Sequence, residues 1–212
     1  MKLLLTSSGI RNESLATALL TLVGMPPQDI KVAVIPTALN TEPGDKGWFF
    51  AHMTRLHKLG VGQIDIVDIS ALPKDLWLPR LEAANVIFVS GGNPKHLMQW
   101  ITQSGLRAEL KRLLKSRVYV GVSAGSYAVT PEIRTQLNDV EEAMPGLGYT
   151  DFAVIAHYKN PNFPRAETRQ LVEERAAGYA CPVYVLDDES AVQVVDGTVE
   201  VISEGEHLLL NQ

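Results

Sequence analysis

The stretch Val118-Tyr119-Val120-Gly121-Val122-Ser123-Ala124-Gly125-Ser126-Tyr127-Ala128 decides the fold. Its first five residues are apolar whichever way they face, as in a strand buried on both sides. Small residues follow and lead into a helix-compatible run. Ser123 has a glycine two positions away on each side, the G-x-S-x-G pattern of a nucleophile elbow. A serine at such a corner stands clear of the sheet. The small neighbours leave room for a substrate, and the helix start offers free N–H groups to a developing negative charge.

Upstream of the elbow, strand and helix patterns alternate. Residues 2–7, 31–36, 63–69 and 85–90 read as strands. Helical patterns fill 12–23, 45–59, 72–84, 94–102 and 106–115, with Asn12 as a helix cap and Gly24 and Gly60 as stops. This alternation predicts an α/β fold with three layers: a mainly parallel sheet with helices on both faces. Downstream the texture changes. Residues 130–148 show no clean period and read as a loop with short helical pieces. Residues 151–156 form a strand ending at His157, 166–178 a helix and 183–186 a strand. Asp196-Gly197 centres a C-terminal β-hairpin. No linker or repeat interrupts the chain, so residues 1–212 are expected to form a single domain.

Composition narrows the function classes. The chain is 46% hydrophobic and 20% charged, with a formal net charge of -5, values suited to a globular protein. No basic run marks a nucleic-acid partner. No apolar stretch is long enough for a membrane span or a signal peptide, so a cytoplasmic location is expected. The single cysteine, Cys181, excludes an internal disulfide and a cysteine-built metal site. Ser90-Gly91-Gly92-Asn93 lacks both the dinucleotide fingerprint and the Walker lysine pattern, so no cofactor or metal is expected.

In parallel sheets ligands bind beyond the carboxyl ends of strands. Four such ends carry reactive or permissive residues: Gly91-Gly92-Asn93, Ser123, His157 and Asp187-Asp188-Glu189. A serine hydroxyl needs a base, and histidine is the usual one. His157, at a strand end before a loop, is the best placed of five histidines. His52 and His57 read as ordinary helix residues, and His96 sits near the glycine loop. The base needs a carboxylate, for which Asp139, Glu189, Asp187 and Asp188 compete. An oxyanion hole needs two backbone donors. Ala124 supplies one, and Gly91 or Gly92 the other. A second enzyme reading is an α/β-hydrolase-type esterase using Ser123, Asp188 and His207. A third is a non-catalytic ligand-binding protein on the same scaffold.

The chain resembles the S51 serine peptidases, the family of peptidase E (an alpha-aspartyl dipeptidase) and cyanophycinase. The matching pieces span nearly the whole chain in family order. They are 88–93, 121–126, 133–139, 156–158, 166–169 and 186–191. The resemblance implies a fold like the class I glutamine amidotransferases, with Ser123 as nucleophile, His157 as base, and Gly92 and Ala124 as the oxyanion hole. It implies Asp139 or Glu189 as the third triad member. Glu189 is favoured slightly, because a strand end is a more rigid mount than a loop. It further implies hydrolysis of short peptides, including dipeptides with N-terminal aspartate. Asn93, Arg134 and Arg169 would then bind substrate. A homodimer is compatible with this reading. The family often has Pro-His-Phe where this chain has Ala156-His157-Tyr158, and peptidase E has a third glycine where this chain has Ser90.

Overall fold

Along the first strand, Leu3 and Leu5 fall in one buried cluster and Leu4 in another. That alternation sets the layers, because both faces of the strand must be covered. The computed structural model describes residues 1–137 and 140–212. Strands β1 (Lys2–Thr6), β2 (Lys31–Ile35), β3 (Gln63–Ile66), β4 (Val86–Val89) and β5 (Val118–Val122) lie parallel in the order β1-β5-β4-β2-β3. Two antiparallel strands, β10 (Ser190–Val195) and β11 (Thr198–Ser203), extend the sheet beyond β1. They are the expected C-terminal hairpin around Asp196-Gly197.

Helices α1 (Glu13–Val23) and α2 (Gly47–Lys58) cover one face. Leu15, Leu19, Phe49 and Leu56 pack there against Leu4, Val34 and Val120. Helices α3 (Lys74–Ala83), α4 (Pro94–Gln103) and α5 (Leu106–Leu113) cover the other with Trp77, Leu97 and Leu110. α1 has the cap expected of it: the Asn12 side chain accepts from the Leu15 N–H at 2.9 Å, and Gly24 ends the helix in the left-handed region.

Beyond the elbow helix α6 (Ala124–Tyr127), residues 130–148 differ from expectation. They hold an antiparallel pair, β6 (Glu132–Leu137) and β7 (Val140–Pro145), rather than a loop with helical pieces. This ribbon is a sheet of its own that sets Ile133 and Met144, opposite each other, on the core, too short a pattern to show a period. A third sheet joins β8 (Ala153–Tyr158), β9 (Val183–Asp187) and β12 (His207–Leu210), with α7 (Arg169–Ala176) packed on it. Among the described residues no helix is long and apolar enough to cross a membrane.

Candidate active site

β1, β4 and β5 all end at the same edge of the parallel sheet, which brings their following residues together. Ser123 follows β5 with φ 48° and ψ -106°, a conformation that L residues avoid. Hydrogen bonds hold it there. Its N–H donates to the Thr6 carbonyl at 3.0 Å, and its carbonyl accepts from the Ser126 N–H at 2.8 Å. The Ser126 hydroxyl also donates to the Thr6 carbonyl, at 2.8 Å. Gly125 is required by close approach: a Cβ there would lie 2.1 Å from the Val89 carbonyl oxygen.

His157 interrupts β8. Its φ is 65°, and the pairing of β8 with β9 shifts register between Ile155 and Tyr158. This bulge turns the imidazole toward the elbow. Nε2 lies 3.0 Å from Ser123 Oγ, and Nδ1 lies 2.8 Å from Asp188 Oδ1. Burial alone would push the Asp188 carboxyl up. The hydrogen bond and charge of His157, with donors from Asn160 and Ser7, outweigh it and hold the carboxyl down to about 2. An ionised carboxylate only accepts, so Nδ1 carries the proton. Nε2 of the neutral ring is then the acceptor for the Ser123 hydroxyl.

The carboxylate on the His157 ring is therefore Asp188, not the expected Glu189. Glu189 points the other way: its Oε1 lies 3.0 Å from Arg11 Nε, and its Oε2 accepts from Asn12 Nδ2 at 3.2 Å. The physical reason is the tight turn between β9 and β10, where adjacent side chains diverge. Asp187 is spent on the turn itself, accepting from the Glu189 N–H at 3.0 Å and from the Ser190 hydroxyl at 2.5 Å. Asp139 lies outside the described residues. His207, the base of the esterase alternative, opens β12 with an exposed side chain, while the ring on Ser123 is that of His157.

Gly91 and Gly92 lie beside the elbow as expected. A Cβ on Gly91 would sit 3.5 Å from Ser123 Cβ. Gly92 has φ 130°, and a Cβ there would lie 2.3 Å from the Ala38 carbonyl oxygen, so only glycine fits. Among the described residues the N–H groups of Gly92 and Ala124 have no backbone acceptor. Asn93 lines the cleft, but its side-chain oxygen caps α4 by accepting from the His96 N–H at 2.9 Å.

The cleft over these residues encloses about 700 Å³ and is walled by Trp48, Pro43, Pro94 and Phe163. The two arginines expected to bind substrate do not line it. Arg134 pairs with Glu132 and lies over the Tyr179 ring, 5.4 Å from its centroid. Arg169 is exposed on α7 and holds Glu173 one turn on, at 2.7 Å. The cations that do line the cleft are Arg11, Lys46 and Lys95. Lys95 pairs with Glu142 at 2.7 Å, and the Lys46 ammonium is wrapped by the carbonyls of Glu42, Pro43 and Gly44.

Three participants were not legible in the sequence. Ser7 and Asn160 donate to Asp188 at 3.0 and 2.7 Å. His52, read as an ordinary helix residue, reaches the cleft and is pushed down to about 4, by burial first and by Arg55 second. Only the Asn-rich loop after His157 carried a signal, and it was a weak one. Among the described residues no cluster of His, Cys, Asp and Glu is arranged to hold a metal.

The chain is similar to known proteins along most of its length. The sequence model of peptidase family S51 matches residues 3–202. Peptidase E of Streptomyces coelicolor is 30% identical over 182 residues, covering 82% of this chain and 71% of the relative. An uncharacterised peptidase of Pasteurella multocida is 28% identical over 180 residues, covering 81% and 84%. A crystal structure of a candidate peptidase E protein from Listeria monocytogenes EGD-e superposes with a TM-score of 0.78 at 21% identity, covering 96% of this chain and 98% of that one. A crystal structure of a peptidase from an acI-B1 Actinobacterium gives 0.68 at 17% identity, covering 99% and 93%. The two structures share the fold.

Proposed function

This chain belongs to peptidase family S51, and from that premise we propose that it hydrolyses short peptides through an acyl-enzyme on Ser123. The observation that carries the reading is the relay of 3.0 Å from Ser123 Oγ to His157 Nε2 and 2.8 Å from His157 Nδ1 to Asp188. Ser123 Oγ attacks the scissile carbonyl carbon while its proton passes to Nε2. Asp188 holds the ring in the required tautomer and stabilises the imidazolium. The oxyanion lies against the N–H groups of Gly92 and Ala124. His157 then returns the proton to the leaving amine as the C–N bond breaks. Water, activated by the same ring, attacks the ester and frees Ser123.

The cleft also informs the choice of peptide. An N-terminal aspartate would meet Arg11, Lys46 or Lys95; Arg11 and Lys95 already hold protein carboxylates, and the Lys46 ammonium is wrapped by three backbone carbonyls. Trp48 and Phe163, by contrast, line the cleft as residues that are 38% and 44% exposed. Short peptides with an apolar first residue therefore rank ahead of aspartate-leading ones. A positional dipeptide library with the intact protein and Ser123→Ala tests both statements. The variant is expected to fold and to lose turnover and fluorophosphonate labelling; unchanged turnover would sink the mechanism. A library led by aspartyl dipeptides would overturn the ranking alone.

A further inference from the structure

The end of β1 carries more of the site than any strand-end motif suggested. The Thr6 carbonyl takes the Ser123 N–H, as described. The next residue, Ser7, is fully buried, and its hydroxyl does two things at once. It accepts the His157 backbone N–H at 2.8 Å and donates to Asp188 Oδ1 at 3.0 Å. Asp188 Oδ1 in turn takes the His157 ring proton at 2.8 Å. These three bonds close a ring through one residue's backbone, a hydroxyl, a carboxylate and back to that residue's imidazole. The Ser7 N–H adds a tie to the Ser190 carbonyl at 3.2 Å, two residues past Asp188.

A hydroxyl has one proton to give. One lone pair takes the His157 N–H, and the proton goes to Asp188, whose ionised carboxylate can only accept. His157 stands at φ 65°, a left-handed backbone setting that few residues other than glycine adopt. The bond from its N–H to Ser7 helps to hold it there. Asp188 lies on a turn 31 residues away in sequence. Ser7 thus links the backbone N–H of His157 to the Asp188 carboxylate, while Asn160 links the His157 carbonyl to the other carboxylate oxygen, at 3.1 and 2.7 Å. We propose that Ser7 is a positioning residue of the hydrolytic site, setting the His157–Asp188 geometry without touching substrate. The inference rests on the peptidase reading given above. Ser7 does not line the cleft, so its loss should act on turnover and not on substrate binding.

The test compares Ser7→Ala with the unaltered protein. kcat is expected to fall roughly ten- to a hundred-fold, the scale of a hydrogen bond to a charged group, with KM changed less than about two-fold. The far-downfield proton resonance of His157 Nδ1–H should broaden or shift, read without substrate. An unchanged kcat or an unchanged resonance overturns the proposal. Ser7→Cys, similar in shape with a weak S–H donor, replaces Ser7→Ala if that variant does not fold, with the same expectations and the same overturning results. If the unaltered protein neither turns over peptides nor labels at Ser123, the peptidase reading fails. The resonance then decides by itself whether Ser7 holds the pair.

Discussion

The Phe163 ring lies flat on the His157 imidazole, with 3.7 Å between centroids and 10° between planes. Isolated aromatic pairs favour offset or edge contacts, so a stack this close is imposed by the loop that carries it. That loop is anchored twice: the Phe163 N–H donates to the Asn160 carbonyl at 2.9 Å, and Asn160 Nδ2 donates to Asp188 at 2.7 Å. Phe163 thus covers one face of the base and limits its rotation about Cβ–Cγ. Phe163→Ala should lower kcat by about three- to ten-fold, the size of one aromatic contact. Its partial exposure means that the thermal midpoint should barely move. Labelling of Ser123 by a fluorophosphonate, followed as a rate, measures the effect; an unchanged rate would remove Phe163 from the site.

The two adjacent acids should separate cleanly. Asp188→Asn keeps the shape but offers an amide where Nδ1–H needs an acceptor, so kcat should drop roughly a thousand-fold or more. Glu189→Gln alters only the contacts to Arg11 and Asn12 at the partly exposed rim, and should stay within about three-fold of the parent. Peptide hydrolysis by the two variants side by side decides the assignment. The reverse order would return the role to Glu189.

His52 predicts an acid-side loss of stability. Its side chain is 4% exposed, and among the described residues its Nδ1 has no hydrogen-bond partner. Folding lowers its pKa from 6.5 to about 4, so between those values the unfolded chain binds more protons. Its contribution is complete above pH 6.5 and drains away as pH falls toward 4, by about 3 kcal/mol. Urea midpoints at pH 7 and pH 4 should differ less in His52→Phe than in the parent. Equal pH dependence in the two proteins would show that another group controls it.

These cases also explain what the sequence could reveal. The runs at β2, β4 and β5 are apolar on both faces, so their burial and parallel pairing were written in composition. The elbow was legible too, since its close contacts leave no room for a side chain at Gly121 or Gly125 and so print a glycine on each side of Ser123. His157 was found because a strand stops beside it. The acid was missed by one residue, because a two-residue turn decides which neighbour faces inward and no periodicity reaches across it. Ser7 looked like any serine in a Ser-Ser-Gly loop, and its role depends on a partner 181 positions away. Arg134 and Arg169 matched in local sequence, yet their side chains found Glu132 and Glu173 instead of the cleft.

That separation of 181 residues between Ser7 and Asp188 sets an order of events during synthesis. A ribosome releases the chain from its amino end, so β1 to β5 can begin to associate with the elbow already in place. The base arrives later, and the carboxylate only when the turn before β10 emerges and that strand docks along β1. Until then Ser123 has no oriented base. The contacts of His157 with Ser123 and Asp188 are therefore complete only once the turn before β10 has been made and packed.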